Sequence, residues 1–215
     1  MARTPTGTIT SVATAFTAPK TFSGISNAVE AVVSCTAHGF SNGDIVEITS
    51  GWGRLNKRAF RIKGVTPDAF TLEGFNSTNT EFYPPTSAGG TARKVTTWVQ
   101  GDRTLNHQNN GGDHKIVTVQ FIEHETETPL HDGFSAVTRS FSMDADMIGT
   151  PFYNALRDLT EVHSDTVIKR VAKSGALSLI SGKVALNEEE TVDSGIVVVK
   201  GSITGHSRST RYAAP

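Results

Sequence analysis

The chain is poor in several things at once, and each shortage removes a class of protein. Among 215 residues there is one cysteine, Cys35, so no internal disulfide staples the fold. Charged residues make up 19% of the chain, below the roughly 25% of an average soluble domain, which argues against a coiled coil or a charge-rich disordered tail. Apolar residues are 37%, and no run approaches the ~18 consecutive apolar residues of a membrane-spanning helix. The net charge is -1, whereas a surface that grips many phosphates normally shows a basic excess. The opening Met-Ala-Arg-Thr-Pro-Thr-Gly-Thr lacks the apolar core of a secretory signal, so cytoplasmic synthesis is the expectation.

Thr, Ser and 20 glycines fill the space, and the texture is that of short strands between turns. After a loose arm over residues 1–7, residues 8–17 alternate with Ile9, Val12 and Phe16 inward and break near Pro19. From residue 24 to 95 some five short strands follow at close spacing. They are punctuated by Gly39, Asn42 and Gly43, by Gly51-Trp52-Gly53, by Thr66-Pro67-Asp68 and by Gly89-Gly90, as in a small sandwich or barrel.

Residues 102–114 are polar and aperiodic, and read as a long loop of the kind that carries function. Residues 115–124 form the strongest strand, apolar on both faces and therefore expected to be buried on both. The pair Asp132-Gly133 predicts a hairpin turn into a second strand over 134–143. Thr150 as N-cap and Pro151 as first helical residue open one helix, with Phe152, Leu156 and Leu159 on its apolar face. Strands resume over 166–172, 176–186 and 196–203, with Glu188, Glu189 and Glu190 in an acidic turn.

Catalytic constellations do not emerge. Gly51-Trp52-Gly53 lacks the third glycine of a dinucleotide fingerprint and has no helix behind it. His124-Glu125, with His131-Asp132 further on, is the densest polar cluster; a solvated hairpin end explains it better than a metal site. Cys35 sits at an inward strand position, where thiols are usually inert. Trp52 and Trp98 suit either the core or ligand stacking. No cofactor is expected, and the pattern favours a structural or binding role over an enzyme.

The chain resembles the tail tube (major tail) proteins of bacteriophages with long non-contractile tails. The resemblance rests on the opening residues, on residues 25–33 running into Ala37-His38-Gly39-Phe40 and Gly43-Asp44-Ile45-Val46, and on Gly51 to Asn56 and Phe60 to Val65. Residues 132–136, the helix at 149–160 and the close at 203–212 extend it, so it covers essentially the whole chain. It implies a mainly-β fold: a two-sheet β-sandwich with one flanking α-helix, a long β-hairpin and an inserted small all-β module. Residues 1–24 and 95–215 would form the sandwich, and residues 25–94 the module, displayed outside.

It further implies homo-hexamer rings stacked into a tube in the virion, made in the host cytoplasm. The tape measure protein would fill the lumen during assembly, tail terminator and tail tip proteins would stand at the ends, and DNA would pass through without specific binding or membrane insertion. Glu123, Glu125 and Glu127 alternate on one expected strand face and are candidates for the lumen, with a rim or outer position as the alternative. The loop carrying Asp102, Arg103, Asn106, His107, Asn109 and Asn110 is the candidate contact to the next ring. Arg208 and Arg211 are candidates for an inter-subunit tail. Two rivals are another virion component of similar fold, such as a tail terminator or decoration protein, and a carbohydrate-binding module.

Overall fold

The computed structural model describes residues 6–193 and 195–214. Most of the expected N-terminal arm, residues 1–5, lies outside the described residues. The fold is mainly β with one α-helix. In chain order the strands are β1 (Ile9–Phe16), β2 (Lys20–Phe22), β3 (Gly24–Ile25), β4 (Val32–Ser34), β5 (Ile45–Ser50), β6 (Arg58–Thr66), β7 (Ala69–Leu72) and β8 (Gly90–Gln100). Then come β9 (Thr104–Asn110), β10 (His114–Val119), β11 (Thr128–Phe134) and β12 (Thr138–Asp144). Helix α1 (Pro151–Val162) precedes β13 (Asp165–Val171), β14 (Leu177–Asp193), β15 (Ile196–Gly205) and β16 (Thr210–Tyr212).

Fourteen strands join in one curled antiparallel sheet along the path β3-β4-β7-β6-β5-β8-β1-β13-β14-β15-β12-β9, with β16 on β14 and β2 on β8. The layers of the sandwich are thus joined edge to edge. Strands β10 and β11 pair only with each other. Gly-rich turns shape the first part, as at Gly39 and Gly43, whose φ values of 70° and 87° disfavour other residues.

Three cores follow from this path. One gathers Phe22, Val33, Ile48, Trp52, Phe60, Phe70 and Phe75, all from the first half of the chain. The second packs α1, through Phe152, Tyr153 and Leu156, on Val12, Ile168, Phe141, Met143, Val184, Val199 and Ile203. A third, with Ile45, Ala59, Val95, Val167, Leu179 and Tyr212, joins the two regions. The helix starts where its sequence signals place it, but the Thr150 hydroxyl donates backward to the Met147 carbonyl (2.7 Å) instead of capping.

Four sequence expectations are corrected. Residues 104–110 are strand β9, a polar edge strand hydrogen-bonded to β12, with an extra residue at Asn106. Strand β10 is exposed on both faces within the chain, because among the described residues β11 is the one strand that pairs with it. Asp132-Gly133 lies inside β11: His114 pairs with Phe134 and Ile116 with His131, so the φ of 85° at Gly133 serves a β-bulge and the hairpin reverses at residues 120–127. Glu188 to Glu190 belong to an irregular stretch of β14, where Asn187 faces Lys200 and Thr191 faces Val198.

Candidate assembly surfaces

Three surfaces stand out, each arising from strands that this chain leaves without neighbours. The first is the β10–β11 hairpin. Ile116, Val117, Leu130 and Phe134 are exposed along it, and Ile122 in its turn is fully so (100%). Register places Val117 opposite Leu130, while Ile116 is opposite His131, so both faces carry apolar side chains. A lone two-stranded hairpin is marginal in water, and one with two apolar faces needs cover. A second, smaller projection, the β14–β15 end, exposes Val192, Ile196 and Val197.

The second surface is the free edge of β9. Its backbone pairs with β12 on one side and with no strand on the other among the described residues. Such an edge templates pairing with another chain. On the far side of the same four strands, β14 loses β13 beyond Lys183; the Thr160 hydroxyl takes the Leu186 amide there (2.9 Å), and no strand among the described residues follows.

The third surface is the face of β14-β15-β12-β9 turned away from α1. Alternation from the core residues Val184, Ile203, Phe141 and Met143 assigns to it Ala185, Lys183, Lys200, Ser202, Thr204, Ser140, Ser142, Leu105 and Gln108. It is small, hydroxyl-rich and sparsely charged.

The residues singled out from sequence scatter over these surfaces. Glu123, Glu125 and Glu127 sit in the β10–β11 turn, exposed, and do not share a strand face. Asp102 accepts the Arg103 amide (2.8 Å), and Arg103 reaches Asp144 at 3.5 Å. Asn106 donates to Asp193 (2.6 Å), tying β9 to the β14–β15 end. Asn109 and Asn110 pair with Arg139 and Thr138.

His107 turns inward, beside Phe141 (6.0 Å between rings) and within 3.1 Å of the Thr104 hydroxyl. Burial, with Arg170 adding repulsion, lowers its pKa to about 4. Its unfolded value is higher, about 6.5, so the unfolded chain binds the extra proton between these limits. The stability that neutral His107 contributes is therefore complete above about pH 6.5 and is lost as pH falls toward 4. Unfolding measured across this window should flatten in His107→Gln.

Arg208 stacks over Phe134 (4.8 Å) at the hairpin base. Arg211 lies in β16, paired with Ser178, so this segment is not a frayed tail. Trp52 is buried, donates to the Pro84 carbonyl (2.8 Å) and packs on Tyr83, which leaves no ring face for a glycan. Trp98 is covered by Lys169, whose ammonium lies 4.3 Å from the ring centroid. Burial also raises the Cys35 thiol's pKa.

Sequence reading missed Arg139 and Arg170. Arg139 is 4% exposed; one guanidinium nitrogen donates to Ser178 (2.6 Å) and another, buried, has no partner. Burial pushes its pKa down to about 10, helped by the like charges of Arg170 and Arg211. The signal was present in the inward series Val137, Arg139, Phe141, Met143.

A curled β-sheet with one helix, open edges and uncovered apolar projections defines a self-associating structural protein. The model of the phage tail tube protein (TTP) family matches residues 50–214, and the chain belongs to that family. It is accordingly a structural component of the virion tail that self-assembles into a tail tube. A search of curated proteins finds no match. Among the described residues no helix is long and apolar enough to cross a membrane.

Proposed function

We propose that six copies close into a ring and that rings stack into the tube of a long, non-contractile tail, the conduit through which DNA leaves the virion. The tape measure protein occupies the bore during assembly, and terminator and tip proteins end the stack. The observation that carries this reading is the β10–β11 hairpin, apolar on both faces and bare in the single chain. Heterologous contacts of this kind close into rings or continue as filaments.

In this reading the β9 edge joins the exposed β14 edge of the next copy. The hydroxyl-rich face opposite α1 lines the bore, where small hydroxyl side chains predominate and Lys183 and Lys200 are the cations it carries, too few to grip a polyanion along its length. Residues 25–94 stand outside as a module, supported by the separate core that this region builds around Trp52 and Phe60. The hairpin, with its glutamates, reaches the neighbouring ring, a role for which the notched β9 strand is less suited because it is held to β12 and to Asp193.

Negative-stain microscopy of the purified protein, with light scattering against concentration, tests the proposal. Hollow tubes of uniform width are expected. Isolated single rings that never stack would contradict it.

A further inference from the structure

An open cleft of about 330 Å³ lies between β12, β13, β14 and β16, lined among others by Arg139, Arg170, Arg211, Asn109 and Ser178. An adjoining cleft shares Arg139 and Arg211 and adds Arg208. Four arginines thus converge, and no acidic side chain lines either cleft among the described residues. None of the four makes an ion pair among the described residues. Two of their nitrogens, on Arg139 and on Arg170, are buried without a hydrogen-bond partner. Buried donors left unpaired are costly, and clustered cations add repulsion, so this arrangement is built for an anion.

The same chain carries the complement. Glu123, Glu125 and Glu127 crowd the exposed hairpin turn, and no lysine or arginine lies between them. That turn does not fill its own cleft. Gly111, Gly112 and Val137, at the second cleft's rim, flank the hairpin's base, where His114 pairs with Phe134. The paired strands run from there to Val119, which carries the turn about 17 Å along the strand direction.

We propose that the arginine cleft receives the carboxylates of the Glu123–Glu127 turn from a second copy of this chain. This deepens the tube reading and rests on it. Guanidinium forks match carboxylates in shape and donor spacing, so the contact fixes the register of the hairpin on its neighbour as well as attracting it. It is heterologous, turn to cleft, and so propagates from copy to copy.

A charge exchange tests it. Arg208→Glu/Arg211→Glu uses two exposed positions and places carboxylates at the cleft itself. Glu123→Lys/Glu125→Lys/Glu127→Lys reverses the turn. Each set alone should leave a folded protein by circular dichroism and cut the fraction pelleted as tubes by about tenfold or more. The chain carrying both sets should recover assembly. Arg211→Gln, which only removes one charge, gives a milder loss and serves should the double variant fail to fold. Either set assembling like wild type, or a combined chain that is not rescued, overturns the pairing. A wild-type protein that never pellets would instead refute the tube reading.

Discussion

Replacing Val117, Ile122 and Leu130 with Asp is expected to give a folded monomer that no longer polymerises. These side chains are 49%, 100% and 49% exposed and belong to none of the three cores, so folding does not depend on them. Thermal unfolding should shift by no more than a few degrees. Assembly should respond strongly, because burying one such side chain is worth about 1.5–3 kcal/mol. Three per contact, replaced by charges that resist burial, reduce the association constant by a factor on the order of 10³ or more. Sedimentation reads the assembly, and a thermal melt of the same sample reads the fold. Tubes of normal yield from the triple variant would show that the hairpin is displayed to solvent and that the contacts lie elsewhere.

Arg93→Ala is expected to destabilise the chain itself strongly. Glu47, on β5, is 3% exposed at the junction of the first core with β14. Its carboxylate takes Arg93 Nε at 2.5 Å and the Ser181 hydroxyl. Arg93 also reaches the Asp165 carbonyl (3.3 Å) and lies over the Phe16 ring (4.0 Å). Asp165 in turn holds Lys57 (2.6 Å) and His206 (2.8 Å). This polar seam fastens residues 25–94 to β13 and β14.

Removing the arginine strands a buried carboxylate, which costs about 3–5 kcal/mol. For a chain of this size that is a fall of roughly 6–20 °C in melting temperature. The double variant Glu47→Leu/Arg93→Leu should recover most of the loss, because no charge remains buried. Denaturant unfolding of the single and double variants checks both statements. Equal losses in the two would mean that packing, and not the buried charge, governs the seam.

What could be read from sequence was what local chemistry dictates. The helix announced itself through Thr150-Pro151 and the spacing of Phe152, Leu156 and Leu159; the tight turns at Gly39 and Gly43 did so through residues that tolerate positive φ. Strand β9 was illegible because Thr-Leu-Asn-His-Gln-Asn-Asn has no alternation: it edges the sheet, and the extra residue at Asn106 breaks its period. Asp132-Gly133 misled because an Asp-Gly pair suits a bulge as well as a hairpin turn. That displaced the true reversal onto the three glutamates and removed their common face.

The arginine cleft was hidden for a different reason. Its members come from β12, β13, β16 and the segment before β16, and only the curl of the sheet brings them together. The double-sided apolarity of β10 was visible from the start. Its meaning changed once the chain was seen to leave both faces bare, since cover must then come from another copy.

A cryo-electron microscopy reconstruction of tubes grown from the purified protein would show which face lines the bore and what covers the hairpin. A hollow tube is expected, with Ser140, Ser202 and Thr204 on the wall of the bore, α1 behind that wall, residues 25–94 outside, and the β10–β11 hairpin covered by another copy. A bore lined by α1, or a hairpin standing free in solvent, would contradict it.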